Sequence, residues 1–213
     1  MAYQIRINPD ALRDAGKRIT EIGDQVQDTV AVLRSQASRL DMAWDGNAGA
    51  RAAETLMHNA ASLAPLIQAI EGNGRKLLQI AEAFANADKA AGGIQQMDSG
   101  LISAVLRMAD QGLAVPSVNM TAQNTLSVEP FILRQVSGRI DDTSDRLWDI
   151  ANYLRSLGET LSADWEGRAY SRFQRDNQVI ADAMRKAAQT LRDGAQRIAY
   201  AADTYEQMDA ELS

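Results

Sequence analysis

The chain of 213 residues contains no cysteine, one histidine, four prolines and 5% aromatic residues. Each scarcity excludes something. Without cysteine there is no disulfide framework, no thiolate zinc site and no cysteine nucleophile. A lone His58 cannot build a multi-histidine metal centre. Basic residues are outnumbered, 22 Lys+Arg against 28 Asp+Glu, for a formal charge of -6. A pI near 4.9 argues against a chain that wraps nucleic acid. The opening MAYQIRINPDALRDAG lacks the basic and then apolar segments of a secretory signal peptide. No run approaches ~18 uninterrupted apolar residues, so no membrane-spanning segment is expected.

What the chain does have is helical periodicity. Apolar residues recur at Leu12, Ala15, Ile19, Ile22, Val26, Leu33, Ala37 and Leu40. Steps of three and four put them on one helix face. Asn8 is a good cap and Pro9 suits the first helical position. Ile5 and Ile7 read as a short extended lead-in. A second series runs through Leu56, Leu63, Ile67 or Ile70, Leu77 and Phe84. Between them, Gly46 allows a turn that side-chain-bearing residues resist, and Asp45 or Asn47 can cap the next helix. The spacing predicts a hairpin over 9–42 and 47–90. Pro65 should kink its second arm, and Gly72 and Gly74 allow a break near 71–75.

The pattern returns. Leu133, Val136, Ile140, Leu147, Ile150, Leu154, Leu157 and Leu161 lead to Trp165-Glu166-Gly167. Phe173, Ile180, Met184, Leu191, Ile198 and Tyr205 follow. An offset of 121, which carries Trp44 onto Trp165, makes 15 of 43 positions identical between Pro9 and Arg51. The matches include Pro9/Pro130, Leu12/Leu133, Leu40/Leu161, Gly46/Gly167 and the tripeptide Leu33-Arg34-Ser35. The chain is an internal duplication.

One hairpin cannot bury its own apolar face, so two must pack together. The expected fold is all-α: two helical hairpins packed antiparallel as an elongated four-helix bundle, with a partly helical linker. The divisions are 1–91, linker 92–127 and 128–213. The linker has a possible short helix over 94–113. A helix of ~33 residues is ~50 Å long, and a linker of this length can cover that return, which favours the antiparallel arrangement. The bundle could close within one chain or between two chains by hairpin exchange, as a homodimer.

The two tripeptides Trp44-Asp45-Gly46 and Trp165-Glu166-Gly167, each at a hairpin turn and in register, resemble the W-x-G family. These are the Esx-like substrates of bacterial type VII secretion. The family carries a Y-x-x-x-D/E export signal after its second helix, and Tyr205 to Asp209 matches it. Residues four apart share a helix face. The first repeat has a degenerate counterpart, Phe84 and Asp88. The resemblance implies that Trp44 and Gly46 neighbour Tyr205 and Asp209, and that Trp165 and Gly167 neighbour Phe84 and Asp88. It implies export without a signal peptide from a cytoplasmic start, recognition by a type VII secretion ATPase or translocon, and no enzyme activity or cofactor. The fusion of two repeats would mimic the family's dimer.

Blander readings compete. The tryptophans could simply seal a core, and Tyr205 also fits the heptad. Trp148 and Tyr153 flank the core stripe and could extend a contact surface. His58 with Ser62 lacks the glycine-framed serine of a hydrolase. Gly72-Asn73-Gly74 has no phosphate-loop Lys-Ser/Thr after it. The carboxylates form neither a calcium loop nor a di-iron pattern. The rival function is a cytosolic helical adaptor or chaperone for a toxin or other secreted helical partner.

Overall fold

The computed structural model describes residues 7–86, 107 and 127–212. Five helices carry the described chain: α1 (Pro9–Ala43), α2 (Asn47–Ser62), α3 (Ala64–Ala85), α4 (Pro130–Thr160) and α5 (Arg168–Leu212). A 3-10 turn, Leu161–Ala163, follows α4. The proposed linker helix lies outside the described residues, apart from Arg107.

α1 starts as its sequence dictates. The Asn8 Oδ1 accepts from the Asp10 and Ala11 N–H groups at 3.2 and 3.3 Å, and Pro9 sits where a missing N–H costs nothing. The apolar stripe of α1 is buried along its whole length, from Leu12 to Leu40. The ambiguity between Ile67 and Ile70 resolves to Ile70, which is fully buried, while Ile67 is half-buried.

The second arm breaks at Leu63 and not near 71–75. Pro65 has no N–H to offer the Ala61 carbonyl, so the helix ends before it. The Leu63 N–H bonds that carbonyl instead. Gly72 and Gly74 stay helical within α3. Gly74 is there for close approach. A Cβ at Gly74 would lie 2.9 Å from the Gly16 carbonyl oxygen of α1 and 2.8 Å from the Thr20 hydroxyl. At Gly72 an added Cβ meets nothing within 4 Å. Gly74→Ala should therefore destabilise by about 1–3 kcal/mol through overpacking. Gly72→Ala should stabilise by up to ~1 kcal/mol through helix propensity. Urea unfolding of the two variants checks the opposite signs.

The second repeat solves the same crossing differently. Offset by 121, Gly16 becomes Ser137, Gly23 becomes Ser144 and Gly74 becomes Ala195. The Ser137 and Ser144 hydroxyls donate to the Ala195 and Ala188 carbonyls at 2.8 and 2.7 Å. Both serines are buried. A small side chain with a donor replaces a bare backbone, and α4 is tied to α5 by bonds that α1 and α3 do not need.

The chain forms two compact units, and each draws on both repeats. One comprises Met1–Gln27, Ala64–Asp110 and Asp149–Arg185; the other comprises Asp28–Leu63, Gln111–Trp148 and Lys186–Ser213. In the first, Ile7 at the start of α1 bridges Trp165 after α4. In the second, Val128 before α4 bridges Trp44 after α1. In each unit the beginning of one hairpin meets the turn of the other, so the hairpins pack antiparallel as a four-helix bundle. The cores are aliphatic around one tryptophan each: Leu12, Ile70 and Trp165 are buried in the first unit, and Leu40, Leu133 and Trp44 in the second.

Candidate functional site

Both W-x-G turns rest on a glycine that no other residue replaces cheaply. Gly46 has φ 91° and ψ -179°, and Gly167 has φ 111°. These values lie in the positive-φ half of the map that side chains resist. Gly46 occupies the N-cap position of α2 without a side-chain cap bond, so neither Asp45 nor Asn47 plays the capping role expected of them. The backbone is held by the other repeat instead. The Asp45 N–H donates to the Ser127 carbonyl at 3.0 Å, and the Glu129 N–H to the Ala43 carbonyl at 2.9 Å. The second turn is clasped in the same register: the Asn8 N–H donates to the Asp164 carbonyl at 2.9 Å. The Asn8 side chain adds a 3.0 Å bond to the Asp164 carboxylate.

Side chains make the two turns unequal. In the second unit, Trp44 is 1% exposed and Tyr205 packs edge-on against it, with ring centroids 6.0 Å apart and planes at 81°. The Trp44 indole N–H donates to the Tyr205 hydroxyl at 3.3 Å. Tyr205 is half-buried and Asp209, one turn on, is exposed. Arg134 of α4 straps this part of α5. Its guanidinium donates to Asp203 at 2.7 Å and to Glu206. The hydrogen bonds to Glu206 and then Asp203 raise its pKa above the usual arginine value.

Trp165 keeps different company. Its ring contacts Tyr170 at 5.8 Å and Phe173 at 5.7 Å, both on α5. Phe84, expected as a neighbour of Trp165, is half-buried and is not one of these ring partners, and Asp88 lies outside the described residues. The cause is local. Tyr170 stands where the first repeat has Gly49, so α5 itself covers the indole. A Cβ at Gly49 would fall 1.8 Å from the Trp44 carbonyl oxygen, so no such cover forms over Trp44. The Tyr170 hydroxyl is anchored to the Gly158 carbonyl at 3.1 Å.

Residues 4–89 and 125–210 each match the family described as proteins of 100 residues with WXG. The chain belongs to the WXG100 family. It does so twice, as a tandem repeat. Curated relatives of this WXG100 chain include the type VII secretion system extracellular protein A of Staphylococcus aureus strains USA300, Newman and NCTC 8325. Each is 30% identical over 88 residues, covering 41% of this chain and 91% of the relative. One relative thus corresponds in length to about one repeat.

Other candidates in the WXG100 chain are placed simply. His58 is exposed, and Ser62 donates to its backbone carbonyl at 2.9 Å rather than to its ring. Among the described residues no three His, Asp or Glu gather into a metal-binding group. No described helix is long and apolar enough to cross a membrane. Trp148 and Tyr153 are 39% and 40% exposed. The Tyr153 hydroxyl accepts from Arg18 at 3.3 Å. Sequence reasoning missed the Arg134 strap and the lead-in pairings. The signals were present: Arg13/Arg134 is one of the register identities, and Ile7 falls on Val128.

Proposed function

We propose that this chain is a non-enzymatic substrate of a type VII secretion system. Its two hairpin modules, 1–91 and 128–213, stand in one chain for a pair of single-repeat partners. Trp44, Gly46, Tyr205 and Asp209 together form the feature read by the secretion ATPase or translocon. The observation that carries this reading is the Trp44–Tyr205 contact, a turn of one repeat touching the terminal helix of the other. The names of the staphylococcal relatives support the export route. A signal assembled this way exists only when both repeats have folded together, so recognition would double as a folding check. Export proceeds without cleavage, from the cytoplasm, with Asp209 supplying an accessible negative charge one helical turn beyond the phenol. Trp165 and Gly167 serve the same structural turn, whereas Phe84 and Asp88 form a silent counterpart.

A secretion assay in a bacterium with a type VII system tests this. Tyr205→Ala and Asp209→Asn should each lower the exported fraction roughly tenfold, equivalent to ~1.4 kcal/mol of lost recognition. Circular dichroism should show both variants folded, because Tyr205 is only half-buried and Asp209 is exposed. Undiminished export of either variant would falsify the composite signal. Retention of the wild type in the cytosol, bound to a secreted helical protein, would instead establish the adaptor reading.

A further inference from the structure

The first unit contains a cavity of about 260 Å³ between α3 and the start of α5. Its walls are apolar: Leu77, Ile80, Phe173 and the Trp165 ring. Two buried polar groups among its lining residues have no partner, the Trp165 Nε1 and the Asn73 Nδ2. Both residues are 1% exposed. Buried polar atoms in folded proteins nearly always find a partner, so two unmet groups at one cavity are a signal. Both are donors, and what they lack is an acceptor.

Among the described residues none supplies one. The equivalent indole, Trp44, is satisfied by the Tyr205 hydroxyl. The residue in register with Tyr205 is Phe84, which has no oxygen.

Charge at the cavity points the same way. Lys76, Arg168 and Arg172 line it against one carboxylate, Asp176. This is a positive site on a chain whose formal charge is -6. The first turn of α5, which begins at Arg168, adds the positive end of a helix dipole. Burial pushes Lys76 below the usual lysine range, with Asp176 opposing and Arg172 adding to the shift. Burial pushes Asp176 up, against Lys76 and Arg175. Burial thus disfavours both charged forms, and a negative charge placed beside Lys76, away from Asp176, would offset the penalty on the lysine.

We propose that this cavity binds a small apolar carboxylate, a single aromatic ring with a short acid arm. The ring would lie against Leu77, Ile80 and Phe173. The carboxylate would face Lys76 and Arg172, and the Asn73 amide and Trp165 indole would have to turn toward it to donate, since both nitrogens are fully buried. Size fits: an apolar cavity of ~150 Å³ accommodates benzene, and the larger volume here leaves room for the arm. A bare inorganic anion would satisfy the donors and leave the apolar walls empty. The inference is independent of the export reading, since it uses neither Tyr205 nor Asp209.

Indole N–H signals in ¹⁵N–¹H spectra of the full chain test it. Three are expected, from Trp44, Trp148 and Trp165, and Trp165→Phe identifies the relevant one. Titration with 4-phenylbutyrate should move the Trp165 signal saturably, with half-saturation at about 1 mM or below. The neutral amide of the same acid and inorganic phosphate should each bind at least roughly tenfold more weakly. Arg172→Gln, an exposed position, should weaken the acid by roughly tenfold while leaving the thermal melt in place. A Trp165 signal that does not move saturably, or that responds equally to acid and amide, or that prefers phosphate, overturns the proposal.

Discussion

Trp44→Ala lowers the free energy of unfolding by about 3–5 kcal/mol, the range for deleting a large buried aromatic side chain. Urea unfolding followed by circular dichroism measures it. The indole is 1% exposed, so its removal leaves a hole in the core. The milder substitution separates the two tryptophans. Trp44→Phe forfeits the bond to Tyr205, a net loss of about 0.5–1.5 kcal/mol added to the lost ring volume. Trp165→Phe removes a donor that had no partner, and so recovers about 1–3 kcal/mol of desolvation penalty against its own loss of volume. Trp165→Phe should therefore be the better tolerated of the pair. Equal losses at both positions would mean that the hydrogen bond contributes nothing.

The second large effect is the replacement of both turn glycines. Gly46→Ala and Gly167→Ala should each cost about 1–3 kcal/mol, the range for holding an alanine in a sparsely populated backbone region. At Gly167 an added Cβ meets nothing within 4 Å, so its cost is conformational and not steric. The two glycines belong to different compact units and share no described partner. Their effects should add, giving about 2–6 kcal/mol for the double variant. A double variant no worse than either single change would show that one turn relaxes the other. Thermal and urea midpoints of the three proteins decide between these outcomes.

The heptad stripe told most of the fold in advance, because burial in a helix bundle follows a period that residue type alone reveals. Leu12, Ile19, Leu33, Leu147, Leu191 and Ile198 are core residues for that reason. The duplication carried the rest of the architecture, since it forced two equivalent hairpins to share cores. The interruption expected at Pro65 is there, between α2 and α3, but the break expected near 71–75 is not, because glycine has two opposed meanings in a helix. By propensity Gly74 weakens α3; by volume it permits the approach of Gly16, and packing prevails. The ring partners of Trp165 escaped the sequence for a related reason. The duplication argues from equivalence, whereas the neighbourhood of each indole is set by a non-equivalent pair, Gly49 and Tyr170. The Arg134 strap depends on side chains separated by 69 and 72 residues, a relation that local periodicity does not encode.

The clasp between repeats has a consequence in time. Trp44 emerges from the ribosome long before its partner Tyr205, which lies 161 positions further along the chain. At about 5–20 residues per second that separation is a wait of about 8–30 s. During it the first indole has neither its phenol nor the strand-like cover of Val128, which is itself 84 residues downstream. The first hairpin must therefore persist with an open seam, in a length of chain that resembles a lone single-repeat relative. Any such free repeat in the same cell is a natural competitor for that seam until the second half of the chain arrives.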